Sequence, residues 1–243
     1  RAMAPAPPGA DGAPWPRPHT SAAGHGGGPV LWQRPFVDIF KAFSIEDGEA
    51  AEKRGDVQNE LDRQICKRVY RIRGAVAANN YIQVPGPRSP VKSLGLTGEY
   101  IYLEAKAVGG RFFVVHLDFS VASVSSFRVT LSNMFSQAKT SCHSLQWPLA
   151  LPPQWTVVCI HVPSTLALAA RLPAFAFALK AVQLCASLVV RNVFTSDARY
   201  AADGMPREMR LEHQQGDGHC AWIDVPSSED AGAGLGAGGA ATA

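Results

Sequence analysis

Acidic residues are scarce through the body of this 243-residue chain. From Arg63 to Arg210 there are 17 Lys/Arg against six Asp/Glu, although the whole chain carries a net charge of only +3. The compensating acid sits mostly in residues 44–62, which hold seven Asp/Glu against Lys53 and Arg54. A body short of acid attracts an acidic polymer or surface. Cysteine is also sparse: Cys66, Cys142, Cys159, Cys185 and Cys220 are odd in number and form no C-x-x-C pair. Cys159 and Cys185 fall in apolar, strand-like runs, so they are expected as buried free thiols in a reducing compartment.

Catalytic signatures are missing as well. There is no G-x-S-x-G elbow, and no cysteine has a histidine at a recognisable family spacing. The glycines from Gly24 to Gly28 and the C-terminal Gly/Ala tract are not framed by a strand and a helix, so neither reads as a phosphate loop. His116 and Asp118 stand two apart on one strand face, the placement of paired ligands or of a base and its orienter. No third partner is recognisable, and a satisfied polar pair is the expected reading. His161, on an apolar strand, is expected as a hydrogen-bonded core histidine. No enzyme, cofactor or metal is therefore expected. The long apolar run from Pro173 to Val190 is interrupted by Lys180 and Gln183 and alternates from Val182, so it reads as strand rather than as a membrane span. The N-terminus lacks the apolar core of a signal peptide.

What is present reads as mainly β. Residues 1–29 are rich in Pro, Gly and Ala, and 227–243 pass from Ser-Ser-Glu-Asp into Gly and Ala. Such segments bury too little apolar surface to offset their ordering entropy, so they are expected as a disordered tail and a linker. The start at Arg1 and the linker-like finish suggest a piece of something longer. Residues 30–226 are expected to fold as one domain. Phe36, Ile39, Phe40 and Phe43 recur at i, i+3, i+4 and i+7, the pattern of a short amphipathic helix. A polar stretch over 44–62, partly helical, is expected to follow, with the period changing to two beyond Gly55-Asp56. Period-two runs then recur around Val69, Tyr81, Ile101, Val115, Val129 and Val182, Thr156–Val162 is apolar on both faces as a central strand would be, and Ser164–Leu172 is a helix candidate. Seven or eight strands with Gly/Pro/Ser/Asn punctuation predict a jelly-roll-like antiparallel β-sandwich with one or two short helices.

Two side-chain sets could meet a partner. Val69–Arg73 puts Tyr70 and Ile72 on one face with Lys67, Arg71 and Arg73 on the other. Arg111, Arg128 and Arg191 are further strand-borne cations, and rigid strands would hold all six in register for an acidic partner. Nucleic acid would suit the charge, but no recognised binding fold or stacking motif accompanies it. Trp147 and Trp155 flank a Pro-rich turn, Pro148 to Pro153, as aromatics do in carbohydrate-binding modules. Burial of both rings in the core is the preferred reading.

The order of several longer motifs points to a family. Trp-Gln-Arg-Pro-Phe at 32–36, Lys-Arg-Gly-Asp-Val at 53–57, Val-Tyr-Arg-Ile-Arg-Gly at 69–74 and Asn-Tyr-Ile-Gln-Val-Pro at 80–85 open the series. Ser-Leu-Gly-Leu-Thr-Gly at 93–98, Val-Val-His-Leu-Asp at 114–118 and Arg-Val-Thr-Leu-Ser-Asn-Met-Phe at 128–135 continue it. Leu-Cys-Ala-Ser-Leu-Val-Val-Arg-Asn-Val-Phe-Thr-Ser-Asp at 184–197 and Met-Pro-Arg-Glu-Met at 205–209 complete it. Over residues 31–210 the chain resembles the family of cilia- and flagella-associated protein 20. The segment between Leu149 and Trp155 departs from the pattern, being compressed to its Pro-rich turn. The resemblance implies a jelly-roll sandwich that binds tubulin in the microtubule wall, at the inner junction of centriolar or axonemal doublets and triplets. It also implies a cytoplasmic, cytoskeletal place at the centriole, basal body or axoneme, and a WD-repeat array beyond the Gly/Ala tract. Other centriolar inner-scaffold proteins are further candidate partners, and neither nucleic acid nor membrane is expected. On this view Lys67, Arg71, Arg73, Arg111, Arg128 and Arg191 are the expected tubulin-facing residues.

Overall fold

The computed structural model describes residues 35–46, 48–121, 124–170, 177–211 and 220–227. The expected tail over 1–29 and nearly all of the expected linker over 227–243 lie outside them. In chain order the first elements are β1 (Val37–Asp38), α1 (Ile39–Ala42), β2 (Glu52–Arg54), β3 (Asp56–Asp62), β4 (Lys67–Arg73) and β5 (Tyr81–Val84). The long central strands follow: β6 (Tyr100–Ala107), β7 (Val114–Val121) and β8 (Val124–Ser132). Next come β9 (Lys139–Thr140), β10 (Ser144–Pro148), β11 (Thr156–His161) and α2 (Val162–Ala170). β12 (Phe177–Cys185), β13 (Leu188–Ser196) and β14 (Ala221–Val225) complete the described set.

These strands form two seven-stranded sheets. Sheet A runs β14-β11-β6-β13-β4-β3, with β1 also on β13, and sheet B runs β2-β5-β12-β7-β8-β10-β9. The fold is mainly β and a sandwich, with two short α-helices. Most neighbours are antiparallel, but β10 pairs parallel to β8 and β14 parallel to β11, so each sheet is mixed near one edge. Alternation fills the space between the sheets. Ile101, Leu103, Ala105, Val158, Ile160 and Val190 come from sheet A, and Ile82, Val115, Leu117, Val129, Leu131 and Leu184 from sheet B; all are buried.

Four local expectations change. The apolar run through Val190 is two strands rather than one: β12 belongs to sheet B and β13 to sheet A, with the chain crossing at Ala186-Ser187. Alternation persists through the crossing because both strands keep their inner side chains in one shared core. No helix occupies the described part of 44–62; β2 forms an edge of sheet B and β3 an edge of sheet A, with Gly55 alone between them. Edge strands carry charge readily because one side of their ladder faces solvent. The amphipathic helix shrinks to the single turn of α1, where the Asp38 carboxylate accepts from Lys41 N at 2.9 Å. α2 begins two residues before the expected Ser164, with Pro163 in its first turn, where a missing N–H costs nothing. No helix among the described residues is long and apolar enough to cross a membrane.

Sheet A has a second apolar layer on its outer face. Val69, Tyr102, Trp155, Val157, Cys159, Val189 and Phe194 pack there under Ile65, Met205, Met209 and Leu211. The Met-Pro-Arg-Glu-Met segment is thus a cover, and β11 is buried on both faces because of it. Sheet B keeps a polar outer face. One row crosses all seven strands in register: Glu52, Gln83, Gln183, His116, Thr130, Gln146 and Lys139.

At one end of the sandwich the loops are tied to Asn80. Its carboxamide oxygen accepts from Asp56 N at 3.1 Å and its amide donates to Val76 O at 2.9 Å, while its backbone carbonyl accepts from Ala186 N at 2.9 Å. Three family-like motifs meet here, the first through Gly55, the second at its last residue Gly74 and the third at its first residue Asn80. A Cβ on Gly55 would overlap the Asn79 carbonyl and the Asn80 carboxamide, and Gly55 also holds φ +76°. Gly110 has φ +67° with open space around it. Gly110→Ala should therefore cost only the left-handed backbone penalty, about 1–2 kcal/mol. Gly55→Ala should cost clearly more, lowering the melting temperature by an extra few degrees at about 2–4 °C per kcal/mol. Thermal melts of the two variants against wild type check the ordering.

Candidate functional site

The acidic stretch lies against the basic strands and neutralises them. β3 pairs with β4 in full register, placing Glu60 beside Arg71, whose guanidinium reaches it at 2.5 Å. Asp62, nearly buried, accepts from Lys106 Nζ at 3.2 Å and caps the turn through Gln64 N at 2.8 Å. Glu46 takes Lys53 at 2.6 Å and Asn59 at 2.8 Å, and these contacts hold its carboxyl down at about 2. The excess cation read from 63–210 is therefore partly internal charge.

Arg191 is the extreme case. A register shift between Val190 and Asn192 places Arg191 next to Glu104 of β6, as a bulge does. Its guanidinium binds Glu104 Oε2 and donates to the Glu208 carbonyl at 2.6 Å. Glu104 is fully buried and the Arg191 side chain is only 12% exposed. Burial pushes the Glu104 carboxyl up to about 8, against the pull of Arg191 and Lys67, and its Oε1 has no hydrogen-bond partner.

The six expected partner-facing cations do not share one face. Lys67, Arg71 and Arg73 lie on β4 and Arg191 on β13, all in sheet A; Arg128 lies on β8 of sheet B. Arg111 is on the loop between β6 and β7 rather than on a strand. Arg71 and Arg191 are engaged with Glu60 and Glu104, and Arg128 holds Asp118 through two bonds at 2.6 and 2.8 Å. Lys67 is half-buried. Arg73 and Arg111 are exposed, and both stand at the Asn80 end of the sandwich, as does exposed Arg54. Arg54 escaped the sequence reading because it sits in the acidic stretch. Its place beside Gly55 in the Lys-Arg-Gly-Asp motif was the available signal.

The other candidates resolve simply. His116 Nδ1 lies 3.0 Å from Thr130 Oγ1, and burial drives the imidazole down to about 4, so it stays neutral at physiological pH. His116 and Asp118 thus engage different residues of β8 rather than each other. His161 Nδ1 lies 2.6 Å from Ser164 Oγ at the start of α2. Among the described residues no three His, Cys, Asp or Glu gather as a metal site. Trp155 is fully buried in the outer layer of sheet A, with Lys106 Nζ 5.2 Å from its ring centre; Trp147 is half-buried on β10, the strand next to the β9 edge of sheet B. The flanking pair therefore offers no two-ring platform for a sugar. Cys159 and Cys185 are buried free thiols, pushed up to about 12 by burial, whereas Cys66 and Cys142 are exposed.

The motifs that meet around Asn80, and the cover over sheet A, lie within residues 30–213, which match the CFA20 domain. The chain belongs to the CFA20 domain family. WD repeat-containing protein 90 of Mus musculus is 34% identical over 86% of this chain and 13% of its own length. The Homo sapiens protein of the same name is 36% identical over 79% of this chain and 12% of its own. Centriole proteome protein 16 of Chlamydomonas reinhardtii is 34% identical over 75% of this chain and 9% of its own. The chain thus spans only about an eighth of the curated relatives it matches. A solved chain described as "Structural analysis of an exo-beta-agarase" superposes with a TM-score of 0.37 at 9% identity, over 70% of this chain and 25% of its own, too loosely to bear on function.

The buried carboxylate of this CFA20 domain makes stability depend on pH. A carboxyl raised from 4.5 to about 8 binds more proton in the folded state, so its contribution is greatest at low pH and is lost as pH climbs through that interval. His116 acts in the opposite sense, losing its contribution as pH falls from 6.5 toward 4. Melting wild type and Glu104→Gln from pH 5 to 8.5 separates the two. The wild type should lose ground on the variant as pH rises, and parallel curves would show that Glu104 is not shifted.

Proposed function

We propose that this CFA20 domain is a non-enzymatic module that binds the microtubule wall and serves centriole and cilium assembly. The observation that carries the reading is family membership, together with relatives of which one is named Centriole proteome protein 16. The geometry supports it in a specific way. Tubulin is acidic, and Arg54, Arg73 and Arg111 are exposed at one rigid end of the sandwich, while Arg71, Arg128 and Arg191 are held by internal carboxylates. Within this reading the domain stabilises the inner junction of doublet or triplet microtubules, at the centriole, basal body or axoneme. Among the original six cations, Arg73 and Arg111 are the proposed tubulin-facing pair. Lys67, Arg71, Arg128 and Arg191 are proposed to act through the fold.

Contacts between exposed charges are screened over about 8 Å at physiological ionic strength, so binding should weaken steadily with added salt. Co-sedimentation of the 243-residue chain with microtubules tests the proposal. Wild type should pellet at low salt, and Arg73→Glu/Arg111→Glu should bind roughly tenfold more weakly, with the difference shrinking at high salt. Arg71→Glu is a poorer probe, because it would set a carboxylate against Glu60. A folded wild-type chain that stays in the supernatant at low salt ends the microtubule reading. Strong capture of other centriolar proteins in that case would favour a scaffold role instead.

A further inference from the structure

Single exposed apolar side chains are ordinary on a protein surface, but several on one end of a fold call for an explanation. Among the described residues four are well exposed: Leu61, Val76, Phe112 and Met134. Three of these occupy loops at the Asn80 end: Phe112 at 65% exposure, Val76 at 53% and Met134 at 51%. Leu61 lies near the other end of β3.

Phe112 is not exposed because its loop is loose. Its carbonyl accepts from Ser187 N at 2.6 Å. Asn133 brackets it, donating to the Arg111 carbonyl at 3.0 Å and accepting from Phe113 N at 3.0 Å. Ser132 Oγ donates to the Phe113 carbonyl at 2.6 Å and accepts from Met134 N at 3.1 Å. Ser187 Oγ donates to the Gly74 carbonyl at 3.2 Å, which joins this network to the loop carrying Val76. Phe113 is fully buried, so the loop is anchored directly beside the exposed ring. An aromatic carried on pre-ordered backbone leaves little backbone ordering cost when it docks, which favours a binding hot spot.

The charge around it selects the partner. Arg54, Arg73 and Arg111 are exposed at this end, against exposed Asp56, which accepts from Gln58 Nε2 at 3.0 Å. We infer that this loop end is the docking surface of the domain, with Phe112 and Met134 entering an apolar depression on an acidic protein surface while the arginines meet its rim. The inference rests on the microtubule reading and names the tubulin surface as that partner. It adds an apolar anchor that charge alone would not call for, and that anchor has its own signature. Arginine contacts fade with salt, whereas burial of Phe112 and Met134 does not.

Co-sedimentation of the full chain as wild type, Phe112→Ser, Phe112→Trp and Met134→Ser tests it, with a thermal melt of each. Burying one aromatic side chain is worth about tenfold to a hundredfold in affinity, so Phe112→Ser should weaken binding by that much at low and moderate salt alike. Met134→Ser should weaken it several-fold, and Phe112→Trp should retain it. The melts should match wild type, because both side chains are exposed. Wild-type pelleting with Phe112→Ser and Met134→Ser unaffected overturns the docking surface and leaves the microtubule reading intact. Wild type that fails to pellet overturns both. A Phe112→Ser defect that disappears with salt would assign the end to charge alone and overturn the anchor.

Discussion

The loop end of the sandwich that carries Phe112 depends on one side chain that is neither charged nor apolar. Asn80 uses both ends of its carboxamide and its backbone carbonyl to tie together the start of β3, the loop after β4 and the chain just past β12. Glycines at 55 and 74 make room for it. From there the network passes through Ser187 to Phe112 and through Asn133 to Met134, so five connections of a two-sheet sandwich behave as one surface. Loops are ordinarily where a sandwich is least ordered. Here hydrogen bonds give them the fixity that strands would have, and that lets an exposed aromatic be held in place.

The electrostatics divide into two populations. Three of the six cations expected to face a partner are bound to carboxylates of the same chain, Arg71 with Glu60, Arg128 with Asp118 and Arg191 with Glu104, and Lys106 is likewise paired with Asp62. Pairs that are half exposed add little to stability, whereas Glu104–Arg191 is buried, and losing either partner would leave the other stranded. That pair also ties the Met205–Met209 cover to the sheet through the Glu208 carbonyl. Other cations, among them Arg63, Arg88, Lys139 and Arg207, are exposed elsewhere on the domain, so the internal pairs reduce the field presented to a partner without confining it to one end.

Much of this was legible beforehand. Period-two runs located the long strands, because each has one face in the shared core. The switch of sheet at Ala186-Ser187 was not legible, since alternation carries no information about which sheet a strand joins. β2 was missed because an edge strand shows little of the apolar pattern on which the reading relied. The cation set was misgrouped for a related reason. Sequence gives the face of a residue within its strand but not the carboxylate on the neighbouring strand, and β3 pairs with β4 in full register. Phe112 adjoins the period-two run around Val115, but β7 begins only at Val114, which leaves the ring on a loop.

The direction of the strands carries one more consequence. β6 runs toward the Asn80 end, and β11 and β14 run away from it, so Val225 emerges at the opposite end. Pro35 is at that same far end, its carbonyl accepting from Ser196 Oγ at 2.7 Å and from Tyr200 OH at 2.8 Å. β13 spans nine residues, which at about 3.3 Å each is roughly 30 Å. A domain docked by its loops would stand upright on its partner like a peg, with chain entry and exit held about 30 Å above the surface. The polar row across sheet B would then remain wet along the shaft instead of lying flat against the lattice, and the module would act as a spacer as much as a clamp.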